Sequence, residues 1–187
     1  MKFSIHDQES VSAEGQEIIK GVKNKYGFVP NLLATMVESP ALAKAYIALS
    51  DIFDASSFTA EEKQIVLMTV SFVNGCSYCM AAHSVIAGMQ EVPEEIIQAL
   101  RDHKPLADRK LEALRRLTEN LVENGGYPDD DKIKDFVDAG YAQQQVLEIV
   151  LGIGLKTLSN YTNHIAKTPL DEAFRHAEWH KPKSEAA

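Results

Sequence analysis

Two cysteines and a histidine lie close together in the segment NGCSYCMAAH, which covers residues 74–83. Cys76 and Cys79 are three residues apart, and His83 follows Cys79 by four residues. On a helix that advances about 100° per residue, the three side chains fall within an arc of roughly 60°. The spacing therefore predicts that the imidazole can reach the Cys79 thiol directly or through one water.

The position of the pair in its helix also bears on its chemistry. Asn74-Gly75 predicts the end of one helix, so we expect Cys76 to open the next. Unpaired N–H groups and the helix dipole favour a thiolate at a helix N-terminus, and a basic histidine nearby acts in the same direction. Both influences predict a more reactive sulfur.

Several interpretations of this cluster remain open from the residues alone. The side chains could be ordinary core residues, or they could bind a metal ion with His164 as a fourth ligand. A structural disulfide is disfavoured, because a bridge between residues three apart removes little unfolded-state entropy. No second CxxC motif completes a metal site, and Met80 excludes a haem-attachment motif. We therefore favour a redox-active dithiol, with no metal and no cofactor.

The surrounding sequence predicts helices throughout, with no convincing pair of strands. The clearest helix start is TAEE, where Thr59 is the N-cap and Glu62 completes a capping box. Other predicted helix limits are the N-caps Ser39 and Asp108, the starts at Pro30, Pro40 and Pro93, and the ends at Gly27 and Gly140. The stretch before Pro40 is predicted to stay helical until that proline. These signals predict an all-α protein.

The last long helix is predicted over residues 142–167. It contains Gly152 and Gly154, which indicate close contact with another helix. A shift of 81 residues aligns Gln145 with Gln64 and His164 with His83, which indicates, on sparse identity, two related helical halves. The length and the 45% hydrophobic content predict that residues 1–187 form a single domain.

Composition narrows the choice of partners and compartment. A net charge of -8 and an isoelectric point near 5.2 argue against nucleic acid and anionic membranes, which require clustered Lys and Arg. The N-terminus lacks the apolar core of a signal peptide, and no stretch reaches the roughly 18 apolar residues of a membrane span. We expect a cytoplasmic protein, where a cysteine pair is redox-active, catalytic or metal-binding rather than a permanent bridge.

These residues resemble a known family. TAEEKQIVLMTVSFVNGCSYCMAAHSVIAG is similar to the core signature of the alkylhydroperoxidase D-like (AhpD-like) proteins in the carboxymuconolactone decarboxylase family. GFVPNLLATMVESPALAKAYIAL resembles the preceding segment of longer, peroxidase-related members. The resemblance covers about residues 26–90, with the redox motif on a helix pair at about 59–89. It implies an all-α fold, a homo-oligomer, and a thiol-based peroxidase or disulfide reductase.

The resemblance also implies a role for each motif residue. Cys79 would attack a peroxide or another small-molecule substrate, and Cys76 would resolve the product as a disulfide. His83 would belong to the proton relay. A dithiol reductant or a redox partner protein would then return the disulfide to the dithiol.

The chain departs from the family pattern at two positions of this relay. Gln64, twelve residues before Cys76, stands where the family commonly has a glutamate, and an amide cannot accept a proton. Tyr78 stands where some members have a histidine. The candidate relay positions are therefore Gln64 and Tyr78, with Glu61 and Glu62 as substitutes for the missing carboxylate.

Two other functions stay open beside the thiol oxidoreductase. A decarboxylase-like enzyme would use His83 for acid–base chemistry without turnover at sulfur. A non-catalytic redox sensor or metal-binding protein would use the cysteines without catalysis. Cysteines are unnecessary for the acid–base chemistry, so their presence favours the redox function.

Overall fold

The structure of the chain is a computed structural model that describes residues 2–182. These residues form nine α-helices and one 3₁₀-helix and contain no strand, which confirms the all-α prediction. The helices are α1 Ala13–Tyr26, α2 Asn31–Met36, α3 Pro40–Asp54, α4 Ala60–Val73, α5 Ser77–Met89, α6 Glu94–Asp102, α7 Arg109–Glu123, α8 Asp130–Asp138 and α9 Gln143–Ala166, followed by the 3₁₀-helix Glu172–Ala177. Within the described part, no helix combines the length and apolar character that a bilayer crossing requires.

Local hydrogen bonds confirm most of the predicted helix limits. In the capping box before α4, the Thr59 backbone N–H donates to Glu62 Oε2 at 2.9 Å, and the Glu62 N–H donates to Thr59 Oγ1 at 3.2 Å. The side chains of Ser39 and Asp108 cap α3 and α7 in the same way. Gly27 ends α1 in the left-handed conformation. Each of these limits depends on residues within one turn of it.

Several limits differ from the sequence prediction. Helix α2 ends at Met36 instead of continuing to Pro40, because Ser39 must be extended (φ -120°, ψ 97°) to cap α3. The 3₁₀-helix Glu172–Ala177 was not predicted, since its short segment carries no helical periodicity. Pro30 and Pro93 are N-caps, so α2 and α6 each begin one residue later than predicted.

Helix α9 approaches α3 and α4 closely at one glycine. A Cβ atom on Gly152 would lie 2.7 Å from Val66 Cγ1 and 2.9 Å from Phe53 Cε2, so the predicted close contact is confirmed there. At Gly154 the nearest atom to a Cβ would be Leu49 Cδ2, at an ordinary contact distance of 3.8 Å. The prediction of close approach is therefore wrong for Gly154.

Helix α4 is the centre of the molecule, and its residues 64–72 are all buried. One apolar cluster joins α4 to α6, α7, α8 and α9. A second cluster joins α1, α2, α3 and α5, and it contains both cysteines. A helix that is buried on all sides requires neighbours on all sides, and the helices of the first cluster surround α4. The cysteines of the motif lie in the interior as members of the second cluster.

The structure does not contain the repeat that the 81-residue shift indicated. That shift aligns residues 64–83, which are divided between α4 and α5, with residues 145–164, which lie inside α9. The first segment is broken at Gly75 (φ +67°), whereas the second continues as helix. The two segments therefore differ in backbone conformation, and the alignment reflects their shared apolar pattern only.

Candidate active site

The turn between α4 and α5 positions both cysteines. The Gly75 N–H donates to Phe72 O at 3.0 Å, and the Cys76 N–H donates to Ser71 O at 2.9 Å. This is a Schellman motif, which requires the left-handed conformation that Gly75 adopts. Cys76 is consequently the N-cap of α5 and Cys79 its third residue. Their exposed fractions are 1% and 2%, so both thiols are buried.

One side-chain amide from α9 contacts both sulfurs. Asn163 Nδ2 lies 3.2 Å from Cys79 Sγ and 3.8 Å from Cys76 Sγ, and it donates to both. The two thiols also interact with each other, and each shifts the pKa of the other. The amide and the two thiols form a compact group in which Cys79 is the main acceptor.

These surroundings separate the pKa values of the two thiols. The hydrogen bond to Cys79 is the largest cause that raises the pKa of Cys76, and burial acts in the same direction. Burial alone would also raise the pKa of Cys79. The hydrogen bond with Cys76, the charge of Lys156 and the side chains of Ser159 and Asn160 outweigh burial and hold that pKa well below its usual range. The lowered pKa favours the thiolate at Cys79 over Cys76.

His83 is held by an amide instead of a carboxylate. Its Nδ1 lies 2.9 Å from Gln64 Oε1, and Gln64 Nε2 donates to Gln90 Oε1 at 3.0 Å. In this arrangement Nδ1 carries the hydrogen and Nε2 the lone pair. Burial, and then the charge of Lys156, hold the pKa of His83 well below its usual value of 6.5. The ring is neutral near pH 7, which corrects the expectation that a basic histidine supplies positive charge beside the thiol.

Tyr78 has structural contacts. Its hydroxyl donates to Asp171 and accepts from the Leu32 N–H at 3.2 Å, which links α5 to α2 and to the segment after α9. Burial, followed by the bond to Asp171, raises the pKa of Tyr78. The hydroxyl is thus already engaged by two partners, and the described hydrogen bonds tie it to the fold instead of to the thiols.

The two candidate glutamates lie at the start of α4. The Glu62 carboxylate closes the capping box and lies 3.4 Å from Lys110 Nζ. Burial, and then the charge of Glu62, raises the pKa of Glu61. No hydrogen bond in the described residues connects either carboxylate to His83. The structure therefore groups Gln64 with the histidine and leaves both glutamates apart.

The structure does not bring the candidate metal ligands together. His164, the suggested fourth ligand, is exposed on α9, next to the buried Asn163. Over residues 2–182, no group of three His, Cys, Asp or Glu side chains is arranged to hold a metal ion. The side chain that α9 directs at the sulfurs is an amide, which does not complete a Cys and His ligand set.

Four polar residues of α9 that surround the thiols were not identified from the sequence. Lys156, Ser159, Asn160 and Asn163 repeat at spacings of three and four, share one face of the helix and are all buried. Asn74, at the start of the motif, donates to Asn160 Oδ1 at 2.9 Å and links the two elements. The available signal was this polar stripe along a largely apolar helix.

A shallow cleft of about 110 Å³ lies beside the start of α5. Its lining includes Ser77 and Tyr78, which stand between the cysteines in sequence, and Leu170, Trp179 and His180 from the C-terminal segment. A small molecule in this cleft would lie against the backbone of the CxxC turn, while the sulfurs stay buried beneath it.

Residues 40–120 match the model of the carboxymuconolactone decarboxylase family. This range includes the CxxC turn, His83 and Gln64. A comparison with curated protein sequences finds no match.

Solved structures with the same helical architecture include peroxidase-related proteins and a debrominase. An uncharacterised peroxidase-related protein from Ralstonia eutropha JMP134, described as an alkylhydroperoxidase AhpD core, has a TM-score of 0.82 at 18% identity, over 92% of this chain and 93% of its own. The debrominase Bmp8 in complex with 2,3,4-tribromopyrrole has a TM-score of 0.78 at 20% identity, over 95% of each chain. A peroxidase-related protein from Silicibacter sp. TM1040 has a TM-score of 0.77 at 16% identity, over 93% of this chain and 92% of its own.

At these identities the solved structures establish the fold, while the family match comes from the sequence of residues 40–120. Residues 40–120 are therefore similar to the carboxymuconolactone decarboxylase family, and the chain has an AhpD-like helical fold.

Proposed function

We propose that this chain is a thiol-dependent oxidoreductase that reduces peroxides by cycling Cys76 and Cys79 between dithiol and disulfide. The observation that carries the proposal is the difference between the two thiols. Asn163 Nδ2 lies 3.2 Å from Cys79 Sγ and 3.8 Å from Cys76 Sγ, and the pKa of Cys79 is lowered whereas the pKa of Cys76 is raised. Because the thiolate is the nucleophile, Cys79 is the attacking group and Cys76 the resolving group.

The first step is attack of the Cys79 thiolate on the terminal oxygen of a hydroperoxide. The S–O bond forms, the O–O bond breaks, and the alkoxide leaves and takes a proton from water. Cys76 then attacks the sulfur of the Cys79 sulfenic acid, so that the S–S bond forms and the S–O bond breaks. The hydroxide leaves as water with the Cys76 proton, and an external dithiol reduces the disulfide and is itself oxidised.

Two further side chains have roles in this proposal. Asn163 Oδ1 is buried without a hydrogen-bond partner among residues 2–182, so it can accept the O–H of a hydroperoxide beside Cys79. His83 carries a lone pair on Nε2 because Gln64 holds its Nδ1 hydrogen, and we assign Nε2 as the group that takes the Cys76 proton and passes it to the leaving hydroxide. Gln64 is then a positioning residue that sets the tautomer.

The test is peroxide consumption by wild type and by the variants Cys76→Ser and Cys79→Ser, with dithiothreitol as reductant and mass spectrometry of the peptides. We expect a Cys76–Cys79 disulfide in wild type and trapped sulfenic acid on Cys79 in Cys76→Ser. In Cys79→Ser we expect Cys76 to be comparatively unreactive. Ser77→Ala, at an exposed position between the cysteines, is the matched control and should behave as wild type.

Three other results would each contradict a different part of the proposal. The reverse trapping pattern would exchange the roles of the two cysteines. Activity that survives both cysteine substitutions would favour the decarboxylase-like alternative, in which His83 works without sulfur. Bromide release from 2,3,4-tribromopyrrole without peroxide consumption would favour a dehalogenase of the kind that the Bmp8 description names.

We also propose that the chain forms homo-oligomers through the outward face of α9. Leu147, Val150, Tyr161 and Ile165 are exposed, apolar and on one side of this helix. Contiguous exposed apolar side chains mark interaction sites, and pairing of like faces between two copies buries them. Sedimentation should show an oligomer that Ile165→Asp dissociates and that the neighbouring control His164→Asp leaves intact. A monomeric wild type would contradict the proposal.

A further inference from the structure

Lys156 is a buried lysine to which the reaction steps above assign no role. It lies in the middle of α9 with 1% of its surface exposed, and it shares the buried face of that helix with Asn160 and Asn163. Asn163 Nδ2 lies 3.2 Å from Cys79 Sγ, so this face of α9 is the one directed at the thiols. In keeping with that position, Lys156 lowers the pKa values of both Cys79 and His83. In the described part of the chain it forms no ion pair with a carboxylate.

A buried ammonium group requires an opposite charge close by, because its removal from water is costly. Gln64 is an amide and His83 is neutral, so neither supplies that charge. The neighbouring group that can carry it is the Cys79 thiolate, which Asn163 also stabilises. This pairing exists only in the reduced protein, since a disulfide has no charge.

We propose that Lys156 sets the redox equilibrium of the cysteine pair by stabilising the reduced form, which makes the Cys76–Cys79 disulfide a stronger oxidant. A dithiol whose reduced form is stabilised gives a disulfide that accepts electrons more readily. Small thiols can then reduce the disulfide, so the electron donor does not need to be strongly reducing. The inference rests on the proposed function, because it assumes that the two cysteines form a disulfide.

Exchange with glutathione provides a balanced reaction for the measurement. The Cys79 thiolate attacks glutathione disulfide, whose S–S bond breaks as a mixed disulfide forms. Cys76 then attacks the Cys79 sulfur and releases the second glutathione. Two electrons pass from the protein to glutathione, and one proton is taken up because the reduced protein starts with one thiolate and ends with none. The equilibrium should therefore depend on pH.

Other titratable groups that face Cys79 do not contribute to this pH dependence near neutrality. Burial raises the pKa values of Tyr46 on α3 and Tyr78 on α5, so both phenols stay protonated. His83 stays neutral because its pKa is lowered. The raised pKa of Cys76 keeps that thiol protonated until Cys79 has reacted.

The experiment equilibrates wild type, Lys156→Met and Lys156→Arg with mixtures of glutathione and glutathione disulfide at pH 7. Acid quenching, alkylation and mass spectrometry then give the disulfide fraction. A neighbouring opposite charge shifts a pKa by about one to three pH units. Lys156→Met should therefore favour oxidation by about tenfold or more, which corresponds to about 30 mV. Lys156→Arg keeps the charge and should stay within about threefold of wild type.

A pH series on the wild-type protein tests the inference without any substitution. Between pH 6 and pH 8 the equilibrium constant for oxidation should fall about tenfold per pH unit, because one proton is taken up. Lys156→Met should lose most of this dependence. A folded Lys156→Met with the wild-type equilibrium, or a pH-independent wild type, would overturn the inference alone. Failure of wild type to form the disulfide at any glutathione ratio would overturn the proposed function, and this inference with it.

Discussion

Replacement of Gln64 by glutamate tests the contact that orients His83. In wild type the amide oxygen accepts the Nδ1 hydrogen at 2.9 Å, and it brings no charge. Gln64→Glu places a carboxylate at the same point, where the chain departs from its apparent relatives. A negative charge there should raise the pKa of His83, which burial and Lys156 now hold low.

The size of this effect follows from the separation of the charges. With about 4 Å between the centres of the carboxylate and the imidazolium, and an effective dielectric constant of about 20, the attraction is about 4 kcal/mol. This corresponds to a rise of about three pH units in the pKa of His83. Gln64 is buried, so the introduced carboxylate costs desolvation energy, and Lys156 competes for it. We therefore expect a net rise of about one to two pH units.

A histidine whose pKa is raised toward neutrality is a better relay group. Proton transfer by a positioned side chain is typically worth about 10²–10⁴-fold, and we expect about tenfold from an adapted site. Stopped-flow peroxide reduction from pH 6 to pH 9 measures the rate, and NMR titration of His83 measures its pKa. Gln90→Glu is the control, because it adds the same charge on the other side of Gln64 and does not contact the imidazole.

Three results would each refute part of this reasoning. A raised His83 pKa together with a rate at or below wild type, in a folded protein, would show that His83 takes no part in proton transfer. An unchanged His83 pKa would show that the Gln64 contact does not exist in solution. A gain of equal size in Gln90→Glu would assign the effect to general charge and not to the relay.

Three further predictions concern stability and can be checked by urea unfolding. Gly152→Ala should lower the free energy of unfolding by about 1–3 kcal/mol, because the added methyl group overpacks the helix contact. Gly154→Ala should leave the stability unchanged or raise it, because its Cβ has room. Equal effects of the two substitutions would contradict this difference in packing. Tyr78→Phe should lower the free energy of unfolding by about 1–3 kcal/mol, because Asp171 loses its buried hydrogen-bond donor. An unchanged denaturation midpoint would contradict that contact. The pKa of His83 is lower in the folded protein than in the unfolded chain, so below pH 6.5 the unfolded chain binds one proton that the folded protein does not. The free energy of unfolding should therefore fall as the pH drops below 6.5, by up to about 1.4 kcal/mol per pH unit. His83→Asn should lose that part of the slope, and an identical pH profile would contradict the assignment.

The helix limits that could be read from the sequence are those controlled by neighbouring residues. The capping box of Thr59 and Glu62 is formed by residues three apart, and the left-handed Gly75 ends α4 by bonds within the same turn. The 3₁₀-helix Glu172–Ala177 was missed because its position depends on distant contacts. Asp171, directly before it, accepts hydrogen bonds from Tyr78 and from the Asn31 N–H, 140 residues away in the chain.

For the same reason, the sequence predicted only part of the candidate site. The sequence by itself determined that Cys76, Cys79 and His83 lie on one side of α5, because spacing within one helix sets the direction of each side chain. It also showed that Gln64 stands in place of a glutamate. The contact between Gln64 and His83 depends on the packing of α4 against α5, which the sequence alone does not reveal.

The other half of the site was decided by the packing of α9. Its sequence shows a polar stripe that includes Lys156 and Asn163 and an apolar stripe that includes Leu147 and Ile165, but such a pattern does not reveal which stripe faces inward. In the structure the polar stripe is buried against the thiols and the apolar stripe is exposed, the reverse of an ordinary surface helix. Close approach at Gly152 and the hydrogen bonds to the cysteine turn select this orientation, and both are contacts between residues far apart in the chain.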